Sequence, residues 1–168
     1  MIRPCNEADF ETMLLVINDS AQAYRGVIPP DRYHIPYMTA DYLRAEIDSG
    51  VMFYGYDKEN NLLGVMGIQH VRDVTLLRHA YVLTEKRGCG IGSELLQFLV
   101  QRTERPTLIG TWSAAVWAVR FYEKHGFTLV TEEEKNRLLT AYWSLPDRQV
   151  ETSVVLADNR YFSSMRSK

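Results

Sequence analysis

One junction constrains this chain more than any other. A β-forming run at 74–83 leads with no linker into TEKRGCGIGSELLQFL at 84–99, where three glycines occupy five positions and an apolar-periodic helix follows. Glycine at 88, 90 and 92 allows positive φ and a tight reversal. It also leaves bare N–H groups at a helix N-terminus, where the dipole attracts anions. Two familiar glycine motifs fail on spacing. A nucleotide phosphate loop needs Lys then Ser or Thr after its last glycine, but Ser93 and Glu94 follow Gly92. The dinucleotide fingerprint needs a glycine where Ser93 stands. What survives is Arg87-Gly88-Cys89-Gly90-Ile91-Gly92, converging N–H groups beside one fixed charge, which suits a pyrophosphate. A plain strand-to-helix turn is the other reading of the same residues.

The rest of the chain supplies the context. MIRPC reads as a first strand, and Phe10, Met13, Leu14 and Ile17 recur at helical spacing. Periodicity lapses from 18 to 38, where Pro29, Pro30 and Pro36 forbid a regular helix. Thr39 and Gly50 bracket a second helix. Strands at 51–56, 62–71 and 74–83 form a meander, the first two joined by the polar turn DKENN. After the glycine stretch, Ile91, Leu95, Phe98 and Leu99 mark a helix that ends near Arg105-Pro106. TLIGTW at 107–112 predicts a strand, Ser113 caps a helix to Lys124, and FTLV at 127–130 predicts another strand. Thr131 and Glu134 make a capping box, 150–156 is the last strand, and 157–168 is a frayed tail. A meander followed by alternating strands and helices gives an α/β fold, a mixed, mostly antiparallel sheet with helices on both faces. It is expected as one domain over 1–156.

Composition removes several function classes. A formal charge of −2 gives no basic footprint for nucleic acid. No run of 18 apolar residues exists to span a membrane, and the N-terminus has no secretory apolar core. Cys5 and Cys89 lie far apart and form no metal-ligand cluster. A cytoplasmic protein with reduced thiols is expected, and a homodimer is compatible with these features.

VLTEKRGCGIGSELL carries the pattern Arg/Gln-x-x-Gly-x-Gly/Ala, and it closely resembles the cofactor motif of the GNAT superfamily of N-acetyltransferases. AVRFYEKHGF at 118–127 resembles that family's second helix motif, and the two occur in the family's order. One place departs: where the family often has Asn, this chain has Ala115.

The resemblance implies acetyl-CoA as co-substrate. Its pyrophosphate would rest on Arg87, Gly88, Cys89, Gly90, Ile91 and Gly92, with its pantetheine arm along the backbone of Tyr81, Val82 and Leu83. Tyr122 takes the family's acid position, donating a proton to the departing thiolate; simple packing beside Phe121 is its structural alternative. His79 is the candidate base by intrinsic pKa, against Glu85, a water chain, or no base. Cys89 as a covalent nucleophile is set aside because it belongs to the pyrophosphate end. For the acceptor, a small-molecule or peptide amine, Tyr24, Arg25, Tyr33 and His34 of the irregular segment and Trp112 and Trp143 downstream are the candidates. The function implied is direct acetyl transfer to a primary amine. The rival reading is an acyl-CoA-binding sensor without turnover, which Ala115 would permit.

Overall fold

Turn chemistry organises the first half of the sheet. β2 (Met52–Lys58) and β3 (Asn61–Val71) are joined through Glu59 and Asn60, both at positive φ (53° and 63°), as a two-residue hairpin turn requires. Arg72, at φ 50°, then turns β3 into β4 (Val74–Val82). With β1 (Ile2–Pro4), β5 (Thr107–Trp112), β6 (Thr128–Leu129) and β7 (Ser153–Ala157), these make one sheet ordered β1-β2-β3-β4-β5-β7-β6. Every neighbouring pair is antiparallel except β4 with β5. The computed structural model describes residues 1–167.

Helices cover both faces. α1 (Phe10–Ala21) and α2 (Ala40–Asp48) bury Met13, Val16, Ile17 and Leu43 against Phe53, Leu62 and Val65. α3 (Ile91–Val100) and α4 (Val116–Lys124) pack Ile91, Leu95, Leu99 and Tyr122 against Met66, Leu77 and Ile109. α5 (Glu132–Tyr142) and α7 (Asn159–Arg166) contribute Leu138, Leu139 and Tyr161 to a third cluster with Leu76, Leu108 and Val155. The pairs Leu76/Leu77, Leu108/Ile109 and Val155/Leu156 divide between the second and third clusters. That is the period-two alternation of a sheet buried on both sides. Each fully buried Leu or Ile contributes roughly 1.5–3 kcal/mol.

Four expectations change. The helix expected from Ser113 starts at Val116, and the Ser113 hydroxyl instead donates to the Thr152 carbonyl at 2.9 Å. Only half of the capping box forms: Thr131 accepts from the Glu134 N–H at 3.2 Å, while the Glu134 carboxylate is drawn to Arg137 and Tyr161. Residues 147–151 form a short helix, α6 (Asp147–Glu151), so the last strand begins at Ser153. The tail expected to fray is α7, capped by Asp158 and pinned by buried Tyr161. Arg160 secures it further, donating to Asp158 at 2.7 Å and to the Thr107 hydroxyl at 3.0 Å.

Candidate active site

β4 and β5 are paired only where Thr75, Leu76 and Leu77 meet Thr107, Leu108 and Ile109. Beyond that point β4 stays on β3 while β5 continues along β7, from Leu108↔Ala157 to Trp112↔Ser153. The two strands part, and a cavity of about 1020 Å³ opens between them. Its walls are the end of β4, Gly110 to Trp112 of β5, the N-terminus of α3 and the inner side of α4. Segments around 32–39 and 143–149 close the opposite side.

At one end lies the glycine stretch. Gly88 (φ +76°) and Gly90 (φ +85°) occupy the left-handed region, where a side chain is disfavoured, and Gly90 is the N-cap of α3. A Cβ at either position would meet no atom within 4 Å, so both backbones face open space. The first intrahelical bond here runs from Glu94 N–H to Gly90 O at 3.0 Å, leaving the earlier N–H groups of the helix, on residues that line the cavity, without an intrahelical partner. Lys86, Arg87 and Lys124 also line the cavity, and the Arg87 guanidinium is anchored by donating to the Ser20 carbonyl at 2.7 Å.

Midway along the cavity, β4 carries a bulge. Val65 pairs with Tyr81 and Gly67 with Arg78, so His79 and Ala80 together oppose Met66. His79 has φ 55°, which costs a non-glycine residue roughly 1–2 kcal/mol. Its partner offsets that cost. His79 Nε2 contacts the Glu46 carboxylate, which Arg78 also engages at 3.0 Å. Arg78 in turn donates to Gln69 at 3.1 Å, and Gln69 donates to the Ser49 carbonyl at 3.0 Å. Burial holds the His79 pKa below the ordinary imidazole value despite the carboxylate, which keeps the ring neutral and able to accept a proton. The hydrogen bond from His79 and the nearby Arg78 charge hold Glu46 below the usual carboxylate range, against the opposing effect of its burial.

Tyr122 faces the cavity from α4, its ring 5.2 Å from Phe121 and 6.3 Å from Phe127. Burial pushes its pKa up to about 12. Tyr24, Tyr37 and Tyr81 cluster on the other wall, with Tyr24 5.3 Å from Tyr37 and 6.4 Å from Tyr81. Trp112 donates its indole N–H to the Tyr37 hydroxyl at 3.0 Å and so ties the irregular segment to β5. Trp143 lies over Gly110, where a Cβ would come within 3.4 Å of the indole.

A sheet that splits beside a glycine-lined helix N-terminus can be compared with known proteins directly. The family model of the acetyltransferase (GNAT) domain matches residues 17–141. The chain belongs to the GNAT acetyltransferase family. Solved structures agree on the fold. A GNAT-family acetyltransferase of Staphylococcus aureus Mu50 superposes with a TM-score of 0.70 at 18% identity, covering 95% of this chain and 98% of that one. The PaiA N-acetyltransferase of Thermoplasma acidophilum, in complex with coenzyme A, gives 0.65 at 16% identity over 94% and 97%. N-acetylglutamate synthase of Neisseria gonorrhoeae, complexed with coenzyme A and L-arginine, gives 0.61 at 17% identity over 94% of this chain and 32% of its own. No curated protein sequence matches the chain.

In this GNAT domain the residues singled out from sequence divide into groups. Tyr81, Val82, Arg87, Gly88, Gly90, Ile91 and Gly92 line the cavity, as do Tyr122 and His79. Leu83 does not: it packs beneath α1, and its N–H donates to Leu63 O at 2.9 Å. Cys89 is exposed outside the cavity lining, its sulfur 3.9 Å from the Arg87 carbonyl. Tyr24, His34, Trp112 and Trp143 line the acceptor side. Tyr33 backs that wall by stacking on Tyr37 at 6.4 Å, and Arg25 is exposed away from it. Ala115, where the family often has Asn, is fully buried against Trp112 and Ile28. Sequence reasoning missed Glu46, Lys124, Tyr42 and Trp117. Glu46 left a signal: an acid on the same helical stripe as buried Leu43 needs a partner.

Proposed function

We propose that this protein is an N-acetyltransferase, moving an acetyl group from acetyl-CoA to a primary amine while both substrates are bound. The observation that carries the reading is the continuity of one cavity, from the bare N–H groups of Gly88 and Gly90 to the parted edge of β4. The residues fit the co-substrate. Gly88 to Gly92, at the positive end of α3, would receive the pyrophosphate, with Lys86, Arg87 and Lys124 around it. The end of β4, facing no strand on its cavity side, offers backbone groups to an extended amide arm as an added strand would. Acetyl-CoA supplies the activated thioester.

The chain's own groups then have separate tasks. His79, held neutral by burial, accepts the proton of the incoming ammonium, and Glu46 orients its ring through Nε2. A backbone N–H near the bulge stabilises charge developing on the carbonyl oxygen. Tyr122 remains protonated and donates to the departing sulfur. Cys89, exposed and outside the cavity lining, takes no covalent part. The free thiols Cys5 and Cys89 suit a reducing, cytoplasmic setting. No helix among the described residues is long and apolar enough to cross a membrane.

Calorimetry with acetyl-CoA, followed by initial rates over a panel of amines, tests the proposal. Binding and intersecting initial-rate lines are expected. Parallel lines, or an acetyl group trapped on Cys89, would overturn direct attack; binding with no turnover of any amine would favour the sensor reading.

A further inference from the structure

The cavity is electrically lopsided. Arg32, Arg78, Lys86, Arg87 and Lys124 line it, and no aspartate or glutamate does among the described residues. Three of these cations have a task in the reading above, because Lys86, Arg87 and Lys124 gather around the phosphate-binding end. Arg78 is neutralised by Glu46 at 3.0 Å. Arg32 is left over. Its side chain makes no hydrogen bond and no ion pair among the described residues, and its Nε is buried with no partner. A guanidinium N–H in that state normally finds an acceptor.

The neighbours of Arg32 explain why it is not satisfied internally. It ends the short turn Pro30–Arg32, and the adjacent carboxylate of Asp31 is engaged elsewhere, by Arg148 of α6 at 3.3 Å. That ion pair links the irregular segment to α6, and it leaves Arg32, which lines the cavity, without the neighbouring carboxylate as a partner. The same cavity is lined by the flat rings of Tyr37, Trp112 and Trp143, with Trp112 and Tyr37 fixed to each other by their 3.0 Å hydrogen bond. A polycationic acceptor would enter such a site with no carboxylate to meet it and a guanidinium to repel it. An acid would enter with its partner waiting.

We infer that the acceptor is an amine that also bears a carboxylate, with the carboxylate held by Arg32 and an apolar body lying against Tyr37, Trp112 and Trp143. This rests on the N-acetyltransferase reading and narrows it to amino acids with apolar or aromatic side chains. The planar fork of Arg32 matches a carboxylate bidentately, which a lysine would not.

The test separates this inference from the reading beneath it. Coenzyme A-saturated protein is titrated with N-acetylphenylalanine and with its carboxamide, and initial rates are taken with phenylalanine, phenylalaninamide and spermidine. Wild type is expected to favour the carboxylate over the amide by at least tenfold in both measurements. Arg32→Gln should bring the two to parity while acetyl-CoA affinity stays at the wild-type value. Arg32→Lys should recover part of the preference, since charge returns without the fork. Far-UV circular dichroism checks that both variants fold, as expected for an arginine whose side chain makes no internal hydrogen bond. Parity in the wild type, absence of carboxylate binding, a preference for spermidine, or an Arg32→Gln variant with unchanged preference would each overturn the inference. If wild-type protein failed to bind acetyl-CoA, the transferase reading itself would fall.

Discussion

Tyr122→Phe separates a chemical from a structural role better than any other single change. The hydroxyl makes no hydrogen bond to another protein group among the described residues, whereas the ring packs against Phe121 and Phe127 at 5.2 and 6.3 Å. Phenylalanine preserves that packing, so stability should change by no more than about 0.5 kcal/mol. The kinetic effect is different. With the phenol near pKa 12, an ordinary thiol at about 8.5 is the stronger acid by roughly three powers of ten. Complete proton transfer is therefore uphill, which places the loss at the lower end for general acids, ~10²-fold or about 2.7 kcal/mol. A lowered kcat at unchanged acetyl-CoA affinity, measured by single turnover so that chemistry is observed, is the expected result. The same burial predicts no basic limb from Tyr122 in the pH profile until pH approaches about 12. A Phe variant with wild-type single-turnover rate would remove the hydroxyl from the mechanism, and a fall in acetyl-CoA affinity alone would make it a binding group.

Three further outcomes are expected. Gly90→Asp sets an anion and a strained residue at φ +85° in front of the α3 N-terminus, so acetyl-CoA binding by calorimetry should disappear while the circular dichroism spectrum is kept. Glu46→Gln removes the carboxylate that favours protonated His79, so the acid limb of the rate profile should move to lower pH; an unmoved limb would exclude His79 as the base. In the wild type that limb should lie below the ordinary imidazole value, because His79 is held neutral and activity falls only when it protonates. Trp112→Phe deletes the hydrogen bond to Tyr37, and a stability loss of about 1 kcal/mol with a raised acceptor KM is expected in denaturation and steady-state assays.

Where local rules agreed with the fold, the sequence was readable. The glycines at 88 and 90 announce positive φ before a helix, and both have it. The prolines at 29, 30 and 36 announce irregular backbone and their segment lines the cavity, although α1 runs on to Ala21, past the expected break at residue 18. What escaped depended on contacts distant in sequence. Ser113 is a good cap by residue type, but the Thr152 carbonyl competes for its hydroxyl. Glu134 is a good box residue, but Tyr161, far along the chain, takes its carboxylate together with Arg137 one turn on. The tail lacked any periodic signal long enough to mark α7, whose stability comes from Asp158, Arg160 and buried Tyr161 rather than from helix propensity.

The bulge at His79 shows why the site itself was only half legible. Two consecutive polar residues, Arg78 and His79, interrupt an apolar strand, which is the trace of a slip in the side-chain alternation. A bulge adds local twist and bends its strand. Here it falls immediately after the last residues that pair β4 with β5, so it acts where the sheet parts. The partners of the two strands complete the separation, since β3 holds β4 on one side and β7 holds β5 on the other. The strained His79 must therefore be retained by something stronger than propensity, and the Glu46 contact, backed by Arg78 and Gln69, supplies it. One network thus positions the candidate base, maintains the irregular strand and keeps the cavity open. Its members lie on α2, β3 and β4, and only the folded chain brings them together.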